Sequence, residues 1–152
     1  MAEKQVLLVE DEPNIAEAIR FILTRAGWKV TVEASGSAAL ARIATLRPTA
    51  VILDLMLPGC SGLEILAQLR ADAELGRTPV LMLTARGQVR DREAAAAAGA
   101  SAFLAKPFAN ADVLSALEAI AAPVLAGSVL AGPALADPAL TGPALSGSGK
   151  AG

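Results

Sequence analysis

Ala50-Val51-Ile52-Leu53-Asp54 offers no polar face over its first four residues and then closes on an acid. A half-exposed strand would alternate apolar and polar residues, so a short continuous apolar run marks a strand covered above and below, as in a parallel sheet. The runs at 6–9 and 80–83 have the same character, and weaker Val- or Ala-rich runs lie at 30–32 and 102–105. Each of the five is followed by residues in a helix-period pattern. Alternating strand and helix predicts an α/β domain, a doubly wound five-stranded parallel sheet with right-handed crossovers.

The helices carry their own punctuation. Pro13 suits a first helical position, Ile15, Ile19, Ile22, Leu23 and Ala26 form one stripe, and Gly27 suits the stop. Ser61-Gly62-Leu63-Glu64 reads as a capping box opening the third helix, with Leu66 and Leu69 inward. Gly99 is placed to end the fourth helix and Asn110 to cap the fifth, whose apolar face is Val113, Leu114, Leu117 and Ile120. These elements occupy residues 4–121. From about Pro123 the composition shifts to Ala, Gly, Pro, Leu and Ser, with a five-residue period in GSVLA, GPALA, DPALT and GPALS. Pro133, Pro138 and Pro143 each remove a backbone donor, so residues 122–152 are expected to be a flexible, partly polyproline-like tail. A single coil of pentapeptide repeat is the ordered alternative, and Leu125, Leu130, Leu135, Leu140 and Leu145 could dock weakly on an apolar surface.

Composition narrows the chemistry. A chain of 152 residues has room for one domain of ordinary size, and a second output domain is not expected. The net charge of −2, with acids and bases interspersed, gives no basic stripe to grip nucleic acid. The polar start and the lack of an apolar run near ~20 residues argue against a leader or a membrane span, so a cytoplasmic protein is expected. The one cysteine, Cys60, cannot form an internal disulfide and reads as loop packing. With no histidine and no tyrosine, His-metal sites and Ser-His or Cys-His nucleophile pairs are excluded. Carboxylates, Lys106, hydroxyls and a hard metal ion remain.

Polar residues interrupt the apolar pattern just past strand ends: Glu10 and Asp11 after the first, Asp54 closing the third, Thr84 closing the fourth and Lys106 after the fifth. With strand order 2-1-3-4-5, a common doubly wound arrangement, these groups gather in the crevice where open α/β sheets bind ligands. Converging carboxylates repel one another and need a cation beyond Lys106. Oxygen ligands suit Mg²⁺, held mainly by Asp11 and Asp54. A carboxylate so placed is a nucleophile toward phosphorus, with Lys106 and the Thr84 hydroxyl stabilising the phosphoryl oxygens.

Four blocks carry a family resemblance: Leu7-Leu8-Val9-Glu10-Asp11-Glu12-Pro13, Leu53-Asp54-Leu55-Met56-Leu57-Pro58-Gly59, Leu83-Thr84-Ala85 and Phe103-Leu104-Ala105-Lys106-Pro107-Phe108. In this order and spacing they resemble the signature blocks of response-regulator receiver domains of two-component systems. The resemblance implies a flavodoxin-like sheet, phosphorylation at Asp54, and Mg²⁺ bound by Asp11, Asp54 and the Met56 carbonyl, with Glu10 acting through water. It further implies that Thr84 and Phe103 form the switch pair, that Lys106 binds the phosphoryl group, and that the bond to Pro107 is cis. The implied donor is a sensor histidine kinase or phosphotransfer protein, and the output is a changed surface for a downstream protein. Thr84-Ala85-Arg86-Gly87 resembles the winged-helix transcription-factor branch, yet Ser101 and Ala102 stand where that branch has acids, and the fifth helix lacks its basic residues. A stand-alone regulator, monomeric or weakly dimeric, is therefore expected. Two other readings remain: a degenerate receiver that binds constitutively, and a flavodoxin-like oxidoreductase, whose first loop Glu10-Asp11-Glu12 would repel a cofactor phosphate.

Overall fold

Five strands form one parallel sheet in a computed structural model that describes residues 4–57, 60–84 and 89–125. In chain order they are β1 (Gln5–Val9), α1 (Pro13–Arg25), β2 (Lys29–Glu33), a 3-10 turn (Gly36–Ala38), α2 (Ala39–Leu46), β3 (Ala50–Asp54), α3 (Gly62–Ala71), β4 (Val80–Thr84), α4 (Val89–Ala98), β5 (Ala102–Ala105) and α5 (Asn110–Leu125). The sheet order is β2-β1-β3-β4-β5, with every pair parallel. The expected α/β architecture and strand order are both present. Pro58, Gly59, residues 85–88 and the repeat from 126 onward lie outside the described residues.

Period-two alternation sends the side chains of the three inner strands into two separate cores. Leu7, Val9, Val51, Leu53, Val80 and Met82 pack toward α2, α3 and Ala95 of α4. Val6, Leu8, Ala50, Ile52, Leu81 and Leu83 pack toward α1 and α5. All twelve are completely buried, which is why their runs show no polar face. The edge strands β2 and β5 are only half-buried, in keeping with their weaker apolar signal.

The helix punctuation holds with small shifts. Pro13 opens α1, Ile19 and Leu23 are fully buried beneath it, and Gly27 follows with φ +96°. Ile15, Ile22 and Ala26 flank that stripe as half-buried residues. Ser61 and Glu64 form the capping box, and Gly99 ends α4 at φ +101°. Asn110 departs from expectation. It is the first residue of α5, and the Ala109 carbonyl accepts from the Asp112 and Val113 N–H groups, so the helix begins one position earlier than a capping Asn110 would allow. α5 also continues past 121 through Pro123. A proline so close to the helix end sacrifices one backbone bond, and Leu125 keeps the final turn packed against the α1/α5 core.

One close approach ties the fold to the strand ends. A Cβ built on Gly62 would lie 2.3 Å from the Asp54 carbonyl oxygen and 2.9 Å from Leu55 Cα. The first turn of α3 thus sits directly against the backbone that closes β3, and the Gly62 N–H donates to the Leu55 carbonyl at 3.0 Å. Gly62→Ala must push α3 away from Asp54. It is expected to destabilise the domain by about 1–3 kcal/mol, the range for overpacking a filled site. Urea unfolding measures this, and an unchanged midpoint would mean that α3 can withdraw without loss.

Candidate functional site

Because β1, β3 and β4 are neighbours and β5 lies next in the sheet, the residues at their carboxyl ends fall within reach of one another. Asp54 is the last residue of β3 and is 2 % exposed; Glu10 directly follows β1 and is 1 % exposed. Asp11 beside it is exposed. Carboxylate oxygens of Glu10, Asp11 and Asp54 lie within 4.8 Å of one another. Lys106 reaches in from the end of β5, with Nζ 2.8 Å from Asp54 Oδ2 and 3.3 Å from Glu10 Oε1. The Lys106–Pro107 peptide bond is cis.

Each acid is held from the backbone. Asp54 Oδ1 accepts from the Met56 N–H at 3.0 Å, which places the Met56 main chain beside the carboxylate while its side chain is largely exposed. Glu10 Oε2 accepts from the Glu12 N–H at 3.1 Å. Glu12 in turn caps α1 by accepting from Asn14 N–H, so the loop after β1 is fixed at both ends. Thr84, fully buried at the end of β4, donates its hydroxyl to the Leu104 carbonyl at 3.4 Å. Phe103 lies on the α4 side of the sheet, opposite Met82 in register, and is half-buried. Glu10, Asp11, Asp54, Lys106 and the Met56 backbone are thus brought together, and Thr84 and Phe103 lie on adjoining strands.

The electrostatics are unbalanced. Burial, then the adjacent Asp54 carboxylate, raise the Glu10 pKa to about 7, while the Glu12 N–H and the Lys106 charge oppose the rise. Burial alone would lower the Lys106 pKa, but its hydrogen bond to Asp54 and the charges of Asp54 and Glu10 outweigh that and raise it. Glu10 Oε1, completely buried, accepts no hydrogen bond even with Lys106 nearby. Buried carboxylate oxygens are rarely left so. Three clustered carboxylates, an unsatisfied oxygen and a single lysine make a donor set that fits a hard divalent cation such as Mg²⁺.

Three residues give little sequence signal: Gly62 beside the site, Arg92 on α4, and Arg70 at the opposite edge of the sheet. Gly62 could have been suspected only from its place beside a capping serine. Arg70, which looks like an ordinary helix-surface cation, donates to the Gly99, Gly76 and Thr78 carbonyls. Arg92 lays its guanidinium carbon 4.7 Å from the Phe103 ring centroid, a contact between α4 and β5 that no spacing rule marks.

Comparison with known proteins agrees with this geometry. The model of the response regulator receiver domain family matches residues 6–118. The Probable transcriptional regulatory protein TcrX of Mycobacterium tuberculosis is 43 % identical over 115 residues, which cover 76 % of this chain and 48 % of that protein. Response regulator MprA of Mycolicibacterium vanbaalenii is 40 % identical over 116 residues, covering 76 % of this chain and 49 % of its own length. The chain thus spans about half the length of the curated relatives it matches. Among solved structures, the receiver domain of sensor histidine kinase PA1611 of Pseudomonas aeruginosa, with a magnesium ion in its active-site cleft, aligns with a TM-score of 0.73 and 33 % identity over 80 % of this chain and 99 % of that one. Chemotaxis response regulator CheY4 of Vibrio cholerae gives a TM-score of 0.73 and 30 % identity over 78 % and 99 % of the two chains. Among the described residues, no helix is long and apolar enough to cross a membrane.

Two measurements probe the charge balance. Because the folded-state pKa of Glu10 lies above its ordinary value of 4.5, the folded protein binds more protons than the unfolded chain between 4.5 and about 7. That contribution to stability is complete below the lower value and is lost as pH rises through the upper one. With no histidine in the chain, no imidazole titrates in this window. In magnesium-free buffer the thermal midpoint should therefore fall from pH 5 to about pH 8, and Glu10→Gln should flatten the profile; an equally steep profile in the variant would assign the titration to another group.

Mg²⁺ should raise the midpoint at about pH 7.5, since a ligand at ten times its dissociation constant stabilises by about 1.4 kcal/mol. Asp11→Ala should remove most of that shift in a calorimetric scan, and a full shift in the variant would place the ion elsewhere.

Proposed function

Because the chain belongs to the response regulator receiver domain family, we propose that Asp54 accepts a phosphoryl group from a phosphohistidine of a sensor kinase or phosphotransfer protein and that this changes the surface formed by α4, β5 and α5. The observation that carries the reading is the setting of Asp54. It is a buried carboxylate at a strand end, gripped on one oxygen by Lys106 and on the other by the Met56 N–H, with two more acids within ligand distance. A structural aspartate would need only the lysine; the additional acids are costly without a further cation.

In the transfer, an Asp54 oxygen attacks phosphorus as the bond from phosphorus to the donor's imidazole nitrogen breaks. The imidazole departs with the bonding pair, and an acyl phosphate remains on Asp54. Asp11, Asp54 and the Met56 carbonyl would hold Mg²⁺, with Glu10 acting through water, and the ion supplies positive charge to the phosphoryl oxygens. Lys106, already 2.8 Å from Asp54, exchanges this contact for a phosphoryl oxygen. Thr84 exchanges its 3.4 Å bond to the Leu104 carbonyl for a stronger one to the new dianion. That movement vacates space on the α4 side of the sheet, where Phe103 stands one strand away. An inward turn of the ring then couples the phosphoryl group to the outer face of β5, and a downstream protein reads the changed face.

Incubation with acetyl phosphate and Mg²⁺, followed by intact-protein mass spectrometry, should show an increase of one phosphoryl group. Asp54→Asn should abolish it while leaving the fold as stable or slightly more so, since one crowded carboxylate is gone. Undiminished labelling of the variant would overturn the assignment, and an unlabelled wild type would favour a receiver that binds its partner constitutively.

A further inference from the structure

Phe103 is half-buried at the wall of an open recess, and contacts on its two sides account for that position. The ring lacks a hydroxyl, so no hydrogen bond to its tip can hold it at the surface, and only contacts with its face and edge remain. On the protein side it packs against the β-sheet core shared with α4. Toward solvent it forms, with Arg92, Glu93 and Ala96, the wall of a recess of about 270 Å³. The guanidinium of Arg92 lies across the ring at 4.7 Å from the centroid, well inside the range in which a cation is attracted to an aromatic face. Among the described residues Arg92 makes no ion pair, so its place over the ring is not a by-product of a salt bridge. The other two such contacts among the described residues, of Lys4 with Trp28 and of Arg25 with Phe21, are longer at 5.5 and 5.6 Å and involve neither Thr84 nor Phe103.

We infer that Arg92 is a positioning residue that restrains the switch: its guanidinium, laid over Phe103, holds the ring outward and opposes the turn toward Thr84. The inference rests on the phosphoryl-switch reading above. A contact present in the outward state and broken in the inward one lowers the apparent affinity for anything that requires the inward state, by the factor that the contact contributes. For a solvent-exposed cation–π pair that factor is about two- to fivefold. The sign is diagnostic. Removing a positive charge from the neighbourhood of an anion should weaken anion binding, whereas removing a restraint should strengthen it.

The experiment measures beryllofluoride binding in saturating Mg²⁺ by fluorine NMR, with wild type, Arg92→Gln, Arg92→Lys, Phe103→Leu and the Arg92→Gln/Phe103→Leu pair. Arg92→Gln should bind about two- to fivefold more tightly than wild type, Arg92→Lys should stay near wild type because the cation is kept, and Arg92→Gln should have no effect once Phe103 is leucine. Equal or weaker binding by Arg92→Gln would overturn the inference, as would an effect of the same size in the Phe103→Leu background. A wild type that binds no beryllofluoride would overturn the phosphoryl reading and the restraint together. That failure is told apart by the wild-type titration alone.

Discussion

Two carboxylates, Glu10 and Asp54, are withdrawn from water at the same edge of the sheet, and one lysine is the cation set between them. Charges in such a place are costly unless paired and hydrogen-bonded, so the surrounding structure is organised around supplying donors. The Met56 and Glu12 N–H groups each take one carboxylate oxygen, and Lys106 takes another. Glu10 Oε1 is still left without a hydrogen bond. The shortfall is a property of the fold itself: parallel strands whose carboxyl ends coincide cannot place acids there and also keep them apart.

The precision of that edge depends on rigid neighbours more than on the loops that connect them. Asp54 is in register with Leu83 of β4, and the Leu55 N–H donates to the Leu83 carbonyl at 2.8 Å, so β4 fixes the acid from one side. α3 fixes it from the other, since the absence of a side chain at Gly62 lets the helix start touch the Asp54 carbonyl, while the Ser61–Glu64 capping box sets the direction in which α3 departs. In the role proposed for it, an acid held in this way would spend little conformational entropy on reaching a reactive geometry. Lys106 differs: it is partly exposed and attached to an edge strand, which would suit the change of partner proposed for it.

How much of this could be read from the chain follows from the kind of signal each feature leaves. β1, β3 and β4 were legible because burial on both faces removes every polar residue from their runs, and Glu10, Asp54, Thr84 and Lys106 were legible because they break those runs at the ends. Strand limits were blurred by one or two residues, since Gln5, Lys29 and Glu33 pair in the sheet while their polar side chains report solvent. The side chain of Asn110 suits a cap, but the backbone of Ala109 accepts the first helical bonds. Arg70 and Arg92 were illegible for a deeper reason. Their partners are three backbone carbonyls and a ring face, and neither leaves a complementary residue at a predictable spacing.

The same residues favour α4 as the place where the proposed change in surface would concentrate. Among its described side chains Ala95 alone is buried, whereas α1 buries Ile19 and Leu23 and α3 buries Ile65, Leu66 and Leu69. At roughly 0.8 kcal/mol per buried CH₂, an alanine face grips the sheet far less than a leucine face does. The five consecutive alanines at 94–98 therefore make a helix that is sound in propensity and weak in attachment. Its C-terminal end is an exception: Arg70 donates to the Gly99 carbonyl at 2.8 Å while binding the Gly76 and Thr78 carbonyls, and a Cβ on Gly99 would crowd its side chain at 3.0 Å. A disturbance arriving at Phe103 thus meets a helix pinned near Gly99 and lightly held along the rest of its length. Under the proposed switch the least resistance would be to a swing about the pinned end, which would move the Arg92 end of α4 more than the Ala98 end.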